Sequence, residues 1–275
     1  MHGKPTGQRL SINPELVRQR VFERFYGTAD RALPECISRA VGEAVGGNHL
    51  QAALEVCRGS LQRLRQNGQK DRVDEKSANL AEAQDLEAWA KRTGLLIPEP
   101  EFNNLWEKGG KRGESEHQVY FDEKVQRWWK RNTLNFHNGT ISSYLERLTA
   151  QIYLFPSLGP KLEGFTTFQG ELMPVISQAD IVGSCPGEAE VMESLIQRGF
   201  VEVFETGQGM AKAQQLAMHA GLKPQTLGEQ KRIGFYCKPL GLWLEDVHDE
   251  NAKMAKSDVG VFDPVLFFVG DLFDS

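Results

Sequence analysis

The chain lacks the long apolar runs that cross a bilayer, and its first residues contain no apolar signal core. Its start, Met1-His2-Gly3-Lys4-Pro5, is polar. These two absences predict a cytoplasmic protein with no membrane partner. A surplus of positive charge is also missing, because the formal net charge is −5 at pH 7. This acidic balance disfavours a general nucleic-acid-binding surface.

Cysteine and histidine are scarce, with four and six residues respectively in 275. No two of the cysteines have the close spacing of a zinc knuckle or a redox motif; they are Cys36, Cys57, Cys185 and Cys237. We therefore expect buried or unreactive thiols, and the scattered histidines argue against a transition-metal site. The rest of the composition is that of an ordinary globular protein, long enough for one large domain or two small ones.

The first hundred residues predict a helical module, residues 1–97. After a loose tail over 1–12, Asn13-Pro14 offers an N-cap followed by a first-turn proline. Further helices are expected after Pro34, after Asn48 and over about 78–93. The apolar stripe of the last helix is predicted from its helical spacing: Leu80, Ala83, Leu86, Trp89 and Ala90. No catalytic motif is present in this module.

The character of the chain changes at Pro98-Glu99-Pro100, after which residues 98–275 form a second, β-rich region. Strands are predicted over 116–121 and 125–130, and again over 161–168 and 171–178. Gly110 and Gly113 precede the first hairpin, where backbone amides could approach phosphates, although a flexible loop is the alternative.

One basic and one acidic side chain stand out in this region. Lys130 ends the second strand, where a solvated lysine is the alternative to a functional one, with Lys124 as the runner-up. Glu146 is the only acidic residue of the next predicted helix, about 139–150. It could orient that lysine, or be a solvated helix glutamate.

The most informative stretch is 242–264. An apolar run leads into Asp246, His248 and Asn251 follow, and a short hairpin ends at Asp263. One carboxylate can orient an attacking hydroxyl, while an amide oxygen and a second carboxylate can hold magnesium. The alternative is a surface hairpin in which the Asx residues only form turns.

From Trp89 onward the chain resembles the serine/threonine/tyrosine kinase domain found in polyvalent proteins of phages and mobile elements. The resemblance rests on short motifs in a fixed order: Trp89-Ala90, 116–120, Lys130, 144–148, 154–156, 162–165 with Gln178, 246–251 and 262–264. It implies an α+β chain in which the helical module precedes a bilobal, protein-kinase-like fold. The N-lobe would span about 105–180, and a reduced C-lobe about 181–275.

The resemblance also implies the roles of the site residues in an ATP- and Mg²⁺-dependent phosphotransferase. Asp246 would orient the acceptor hydroxyl as the catalytic base, with His248 beside it. Asn251 and Asp263 would bind magnesium. The nucleotide would be held by five residues: Lys130 at the phosphates, Glu146 bracing that lysine, Gly110 and Gly113 in the glycine-rich loop, and Gln178 at the hinge beside the adenine.

Three departures from the family pattern leave alternatives open. Leu244-Glu245 replaces the usual His-Arg pair. The chain therefore lacks the basic residue that, in many regulated kinases, pairs with the phosphate of a phosphorylated activation loop. His248 stands where aminoglycoside and choline kinases commonly have histidine, which adds a small-molecule acceptor as an alternative to the expected protein Ser/Thr/Tyr hydroxyl. Only residues 264–275 follow Asp263, so a catalytically silent nucleotide- or partner-binding module, or a fragment of a longer protein, is also considered.

Overall fold

The computed structural model describes residues 9–26, 33–44, 48–66, 75–111, 117–134, 140–158, 160–205, 232–248, 251–255 and 258–272. The chain divides into two compact units. The central unit comprises Arg31–Val182, and the terminal unit comprises Met1–Asp30 together with Gly183–Ser275. None of the helices in these described ranges is both long enough and apolar enough to cross a membrane.

The regular elements, in chain order, are β1 Arg9–Ile12, α1 Pro14–Tyr26, α2 Glu35–Ala44, α3 Asn48–Gln66, α4 Glu75–Thr93, β2 Leu96–Ile97, α5 Glu99–Gly109, β3 Gly110–Lys111, β4 His117–Asp122, β5 Arg127–Asn132, α6 Ile141–Leu154, β6 Lys161–Phe168, β7 Glu171–Ala179, α7 Glu188–Gln197, β8 Val201–Glu205, β9 Arg232–Cys237, β10 Leu242–Glu245, β11 Ala252–Ala255, β12 Asp258–Val261 and β13 Val265–Phe268. Single 3₁₀ turns lie at Pro156–Leu158 and Lys238–Leu240. The protein is therefore mixed α and β, as the sequence predicted.

The central unit is built on a six-stranded sheet in the order β2-β6-β7-β5-β4-β3. All its pairings are antiparallel except that of β2 with β6. Successive side chains of a strand point to opposite faces of the sheet, so Lys130 and Arg131 of β5 lie on different faces. Arg131 lies against Phe102 of α5, and Lys130 is therefore on the other face of the sheet.

Helices α4 and α6 cover the face that carries Lys130. Lys130 pairs with Ile176, and Pro174, two positions away in β7, pairs with Phe165. Phe165 is therefore on the same face as Lys130, and Trp89 of α4 contacts it edge-on. Tyr144 of α6 contacts His117, and His117 pairs with Asn132, two residues from Lys130. Helix α6 also packs on α2, α3 and α4, and every residue from Ile141 to Ile152 is buried.

The buried stripe of α4 differs from the predicted one. Leu80 is 58% exposed, whereas Glu82 is 1% exposed and lies on the same helix face as Ala78, Leu86 and Ala90. The prediction for Leu80 was wrong because apolar spacing alone cannot show that a carboxylate is buried by its hydrogen-bond partners.

The terminal unit is built on a five-stranded sheet in the order β1-β8-β9-β10-β13. β1 is parallel to β8, and the other pairings are antiparallel. One hydrophobic cluster joins this sheet to α1: Ile12, Val17, Val203, Tyr236, Trp243, Val265, Phe267, Val269 and Leu272. A separate two-stranded hairpin, β11-β12, lies between β10 and β13 in the sequence.

Three local predictions are corrected. The segment after Pro98, expected to begin the β-rich region, forms helix α5 first, because Pro98 and Glu99 suit a helix start. Residues 9–12, placed in the loose tail, form β1, because β8 supplies hydrogen-bond partners from a distant part of the chain. Lys130 lies inside β5 and does not end it.

The division into a helical module of 1–97 and a kinase-like domain of 98–275 stays a prediction. The compact units follow other boundaries, since residues 1–30 group with the C-terminal segment and residues 31–97 group with the central sheet. The break after Val182 is near the expected lobe boundary at 180/181, but the bilobal arrangement itself remains an expectation.

Candidate active site

Asp246 follows β10, a buried strand in the terminal sheet. Leu242, Trp243 and Leu244 are almost fully buried, so the strand is anchored by its side chains on both faces. Asp246 then adopts a left-handed conformation with φ 56° and exposes its side chain. A non-glycine residue rarely holds this conformation, and such outliers concentrate at functional sites.

Asn251 is bound to Asp246 through its side chain. Its Nδ2 donates to the backbone oxygen of Asp246 and to the carboxylate Oδ2, both at 3.2 Å. The amide oxygen Oδ1 of Asn251 is therefore turned away from these two acceptors. Between them, His248 contributes a carbonyl that accepts from the Asn251 backbone N–H at 3.1 Å, which closes the loop into a turn.

Asp263 follows the β11–β12 hairpin in the sequence, at the end of the hairpin where Asn251 precedes β11. The backbone N–H of Phe262 donates to the Asn251 carbonyl at 2.9 Å, so Asp263 is one residue from a direct contact with Asn251. Asp263 also has a positive φ, 57°, two residues after Val261, the last residue of β12. The structure thus brings Asp246, Asn251 and Asp263 to one end of the β11–β12 hairpin.

His248 lies beside the carboxylate of Asp246. Its Nε2 is 3.6 Å from Asp246 Oδ1, and the two side chains are 43% and 56% exposed. At this distance and exposure the contact is a weak electrostatic one. A neighbouring imidazole can share in orienting an acceptor, but its own role stays a prediction.

Lys130 and Glu146 both belong to the central unit. They are 6% and 3% exposed, respectively. Lys130 is on the sheet face that α6 covers, and Glu146 lies one turn after Ser142 on α6. Burial of a lysine and a glutamate is uncommon unless each finds a partner, and this placement suits the predicted brace. Their action on a single nucleotide with Asp246 stays a prediction.

The other residues predicted to contact the nucleotide are Gln178, Gly110 and Gly113, and the structure describes the first two. Gln178 is 4% exposed in β7 and pairs with Trp128, four residues before the boundary of the central unit. Gly110 begins β3 and pairs with Tyr120, so its backbone is part of the sheet. Gly113 lies outside the described residues. The predicted contacts of these two glycines with phosphate therefore stay a prediction.

The oxygen groups at the hairpin fit a hard divalent cation. The Asn251 amide and the Asp263 carboxylate are the donor types that magnesium takes from proteins, and its other positions are usually filled by phosphate and water. Within the described ranges, no three His, Cys, Asp or Glu side chains form a metal-binding group. A two-residue site that also uses substrate oxygens does not require such a group.

A hydrogen-bond network around Arg198 connects α7 to strand β12 of the hairpin, and the sequence analysis missed it. Arg198, which follows α7, donates to Asp258 Oδ1 at 2.6 Å, to the Val259 carbonyl at 3.4 Å and to the Ser194 carbonyl at 3.0 Å. Its side chain is 18% exposed. A lone arginine after a predicted helix carries no sequence signal for this role.

Arg131 forms the corresponding anchor in the central sheet. Its guanidinium lies 4.7 Å from the Phe102 ring centre and 4.0 Å from that of Phe168, and it donates to Gln118 and Asn103. Desolvation by burial lowers the pKa of Arg131, while the charge of Glu99 acts in the opposite direction. The residue therefore ties α5 to the sheet.

The expectation of buried thiols holds for only two of the four cysteines. Cys57 and Cys237 are buried, and burial raises the pKa of the Cys237 thiol. Cys36 and Cys185 are exposed, so for these two only the expectation of an unreactive thiol stays a prediction. Cys185 accepts from Lys253 Nζ at 3.1 Å, in a segment that also pairs Ser184 with Met254.

Comparison with known proteins gives one family match. Residues 79–218 match the family described as Serine/Threonine/Tyrosine Kinase found in polyvalent proteins, just over half of the chain. The match includes Lys130, Glu146 and Gln178 and ends before Asp246, Asn251 and Asp263. No curated protein and no solved structure matches the chain. On the family match, which confirms the resemblance drawn from the sequence, the chain belongs to the serine/threonine/tyrosine kinases found in polyvalent proteins.

Proposed function

We propose that this chain is an ATP- and Mg²⁺-dependent kinase that transfers the γ-phosphate of ATP to a protein serine, threonine or tyrosine hydroxyl. Membership of a kinase family indicates phosphotransferase activity. The observation that carries the finer proposal is the hydrogen bonding of Asn251 to Asp246, in a loop whose following hairpin ends at Asp263.

In this proposal Asp246 orients the acceptor hydroxyl and takes its proton as the oxygen attacks phosphorus. Its exposed carboxylate is held by Asn251 Nδ2, so that it is positioned before the acceptor arrives. The strained φ of Asp246 supports this assignment, because the loop maintains a conformation that costs about 1–3 kcal/mol.

Asn251 Oδ1 and the Asp263 carboxylate would hold magnesium, which when bound neutralises charge on the β- and γ-phosphates. Lys130 would bind the nucleotide phosphates, and Glu146 would keep its ammonium in place. Gln178 would contact the adenine edge, and Gly110 and Gly113 would face the phosphates. Each of these roles rests on the family pattern together with the placement described above.

The test is nucleotide binding followed by phosphate transfer. We expect MgATP to raise the Tm of the wild-type chain more than ATP does in the presence of EDTA. Incubation with γ-labelled ATP should label the protein or an added Ser/Thr/Tyr substrate. Asp246→Ala should retain MgATP binding and lose at least about 100-fold in transfer rate.

Glu245→Ala is a matched control, because this neighbouring carboxylate accepts from Trp243 Nε1 and has no assigned role in transfer. MgATP binding without any transfer by the wild type would favour the catalytically silent module. Label found only on a small-molecule alcohol such as an aminoglycoside would replace the protein acceptor by a small-molecule one.

A further inference from the structure

A buried carboxylate of the N-terminal helices contacts the start of helix α6. Glu82 of α4 is 1% exposed. Its Oε1 accepts from the Ser142 hydroxyl at 2.9 Å, and its Oε2 accepts from the Ser142 backbone N–H at 3.3 Å. The contact joins residues 60 positions apart in the sequence, so it is a tertiary constraint on α6 and no part of a local turn.

The same helix end also has a local cap. Thr140 accepts from the Ser143 N–H at 2.9 Å, and its hydroxyl is 2.9 Å from that of Ser142. The first N–H groups of a helix lack partners within the helix, and a negative charge is favoured there. Glu82 therefore supplies an acceptor for the Ser142 N–H, which the local cap does not satisfy.

The contact with Glu82 also restrains the rotation of α6 about its own axis. Ser142 and Glu146 are four residues apart and lie on one face of the helix, one above the other. A bidentate contact at Ser142 restrains both the rotation of that face and the position of α6 along its axis. The contact of α6 with His117 of the sheet, made by the Tyr144 hydroxyl, is longer, at 3.5 Å.

We infer that Glu82 is a positioning residue for phosphate transfer, acting through α6 to keep Glu146 where it braces Lys130. The inference rests on the proposed function. It gives the N-terminal helices a task within the active site: α2, α3 and α4 surround α6, and α4 holds its start.

The test uses the full chain with Glu82→Gln, Glu82→Ala and Gln84→Ala. Gln keeps the volume of the side chain but replaces one of the two acceptor oxygens by an amide nitrogen, so it reduces the risk of misfolding. Gln84 is an exposed residue of the same helix and serves as the control. For each variant we would measure hydrogen exchange in α6, the Kd for MgATP, and the transfer rate at saturating MgATP.

We expect Glu82→Gln to fold, to exchange the Ser142 and Ser143 amides at least about tenfold faster, and to lower the transfer rate about 10- to 100-fold. Gln84→Ala should match the wild type. The decisive measurement is the double variant with Glu146→Gln. If Glu82 acts through Glu146, the double variant should be no slower than Glu146→Gln alone.

Each contrary result overturns a different part. Full additivity of the two substitutions would show that Glu82 does not act through Glu146. Faster hydrogen exchange with an unchanged transfer rate would show that Glu82 only caps the helix. Unchanged hydrogen exchange would show that Glu82 does not stabilise the start of α6. A wild-type chain that binds no MgATP would overturn the proposed function and the positioning role, while the exchange data would still decide the cap.

Discussion

Two neighbouring cations of β5 show how the fold assigns different tasks to similar side chains. Lys130 and Arg131 are both buried, but strand alternation sends them to opposite faces of the sheet. Arg131 is enclosed by Phe102 and Phe168 and hydrogen-bonded to Gln118. Lys130 lies on the face covered by α6. We therefore expect Arg131 to contribute to stability, while nucleotide binding stays the proposed role of Lys130.

Substitution of each cation by methionine should separate these tasks. Lys130→Met should weaken MgATP binding about 10- to 100-fold, the loss of one or two hydrogen bonds to a charged group, with a small change in Tm. Arg131→Met should lower the free energy of unfolding by about 2–3 kcal/mol, because Gln118 and Asn103 lose a buried donor. Calorimetric titration and urea unfolding measure the two effects. Equal loss of stability in both variants would contradict the assignment.

At the scale of elements, the β11–β12 hairpin is contacted by Arg198, which follows α7 and lies 60 positions before Asp258. The hairpin carries Asn251 at its start and leads to Asp263 at its end, yet its two strands are only four residues each. An isolated pair of strands is marginally stable in water. Arg198 supplies the missing support by binding Asp258 and Val259 from the end of α7.

Arg198→Met should therefore loosen the hairpin. We expect a loss of about 1–2 kcal/mol in unfolding free energy, reduced from the value for a buried pair because Asp258 is 42% exposed. Hydrogen exchange should rise at residues 252–255 and 258–261. The matched control is Arg18→Met, which breaks an exposed pair with Glu15 in the same unit and should cost less than 0.5 kcal/mol, roughly. Equal exchange in both variants would rule out this support.

At the scale of the molecule, each compact unit has one exposed and one buried cysteine. Cys36 and Cys57 belong to the central unit, and Cys185 and Cys237 to the terminal unit. Each unit has its own sheet and its own core, which is the usual condition for separate unfolding. The two buried thiols are therefore natural reporters of the two units.

Thiol labelling should follow this division. In the folded protein at pH 8, iodoacetamide should label Cys36 and Cys185 while Cys57 and Cys237 remain protected. In a urea series, we expect Cys57 and Cys237 to become reactive at different midpoints. A Cys36→Ser, Cys185→Ser variant isolates the two reporters, and mass spectrometry after proteolysis quantifies them. One common midpoint would indicate a single cooperative unit.

The raised pKa of Cys237 adds a pH dependence with a definite sign. As pH increases, the unfolded chain loses the Cys237 proton before the folded one does. The stability that this thiol contributes is therefore complete below its ordinary pKa and is lost as pH rises through the folded value. Cys237→Ala should remove this part of the alkaline loss of stability, measured by urea unfolding followed by circular dichroism because this variant lacks the thiol reporter.

Local sequence patterns were sufficient for most elements and for the family. The spacing of apolar residues predicted α3, the paired strands β6 and β7, and the hairpin between Asn251 and Asp263, because these depend on periodicity and turns. The order of short motifs gave the kinase resemblance that the family match confirms. The assignment of Asp246, Asn251 and Lys130 to a shared function stays a prediction from the same source.

Only the tertiary structure decided what depends on partners distant in the chain. β1 is a strand because β8 lies beside it, and Glu82 is buried because Ser142, 60 residues later, satisfies its oxygens. Arg131 and Arg198 carry no motif, and their partners lie on other elements. The physical reason is general: periodicity reports which residues share a face, whereas burial of a charge depends on which donors and acceptors the fold brings to it.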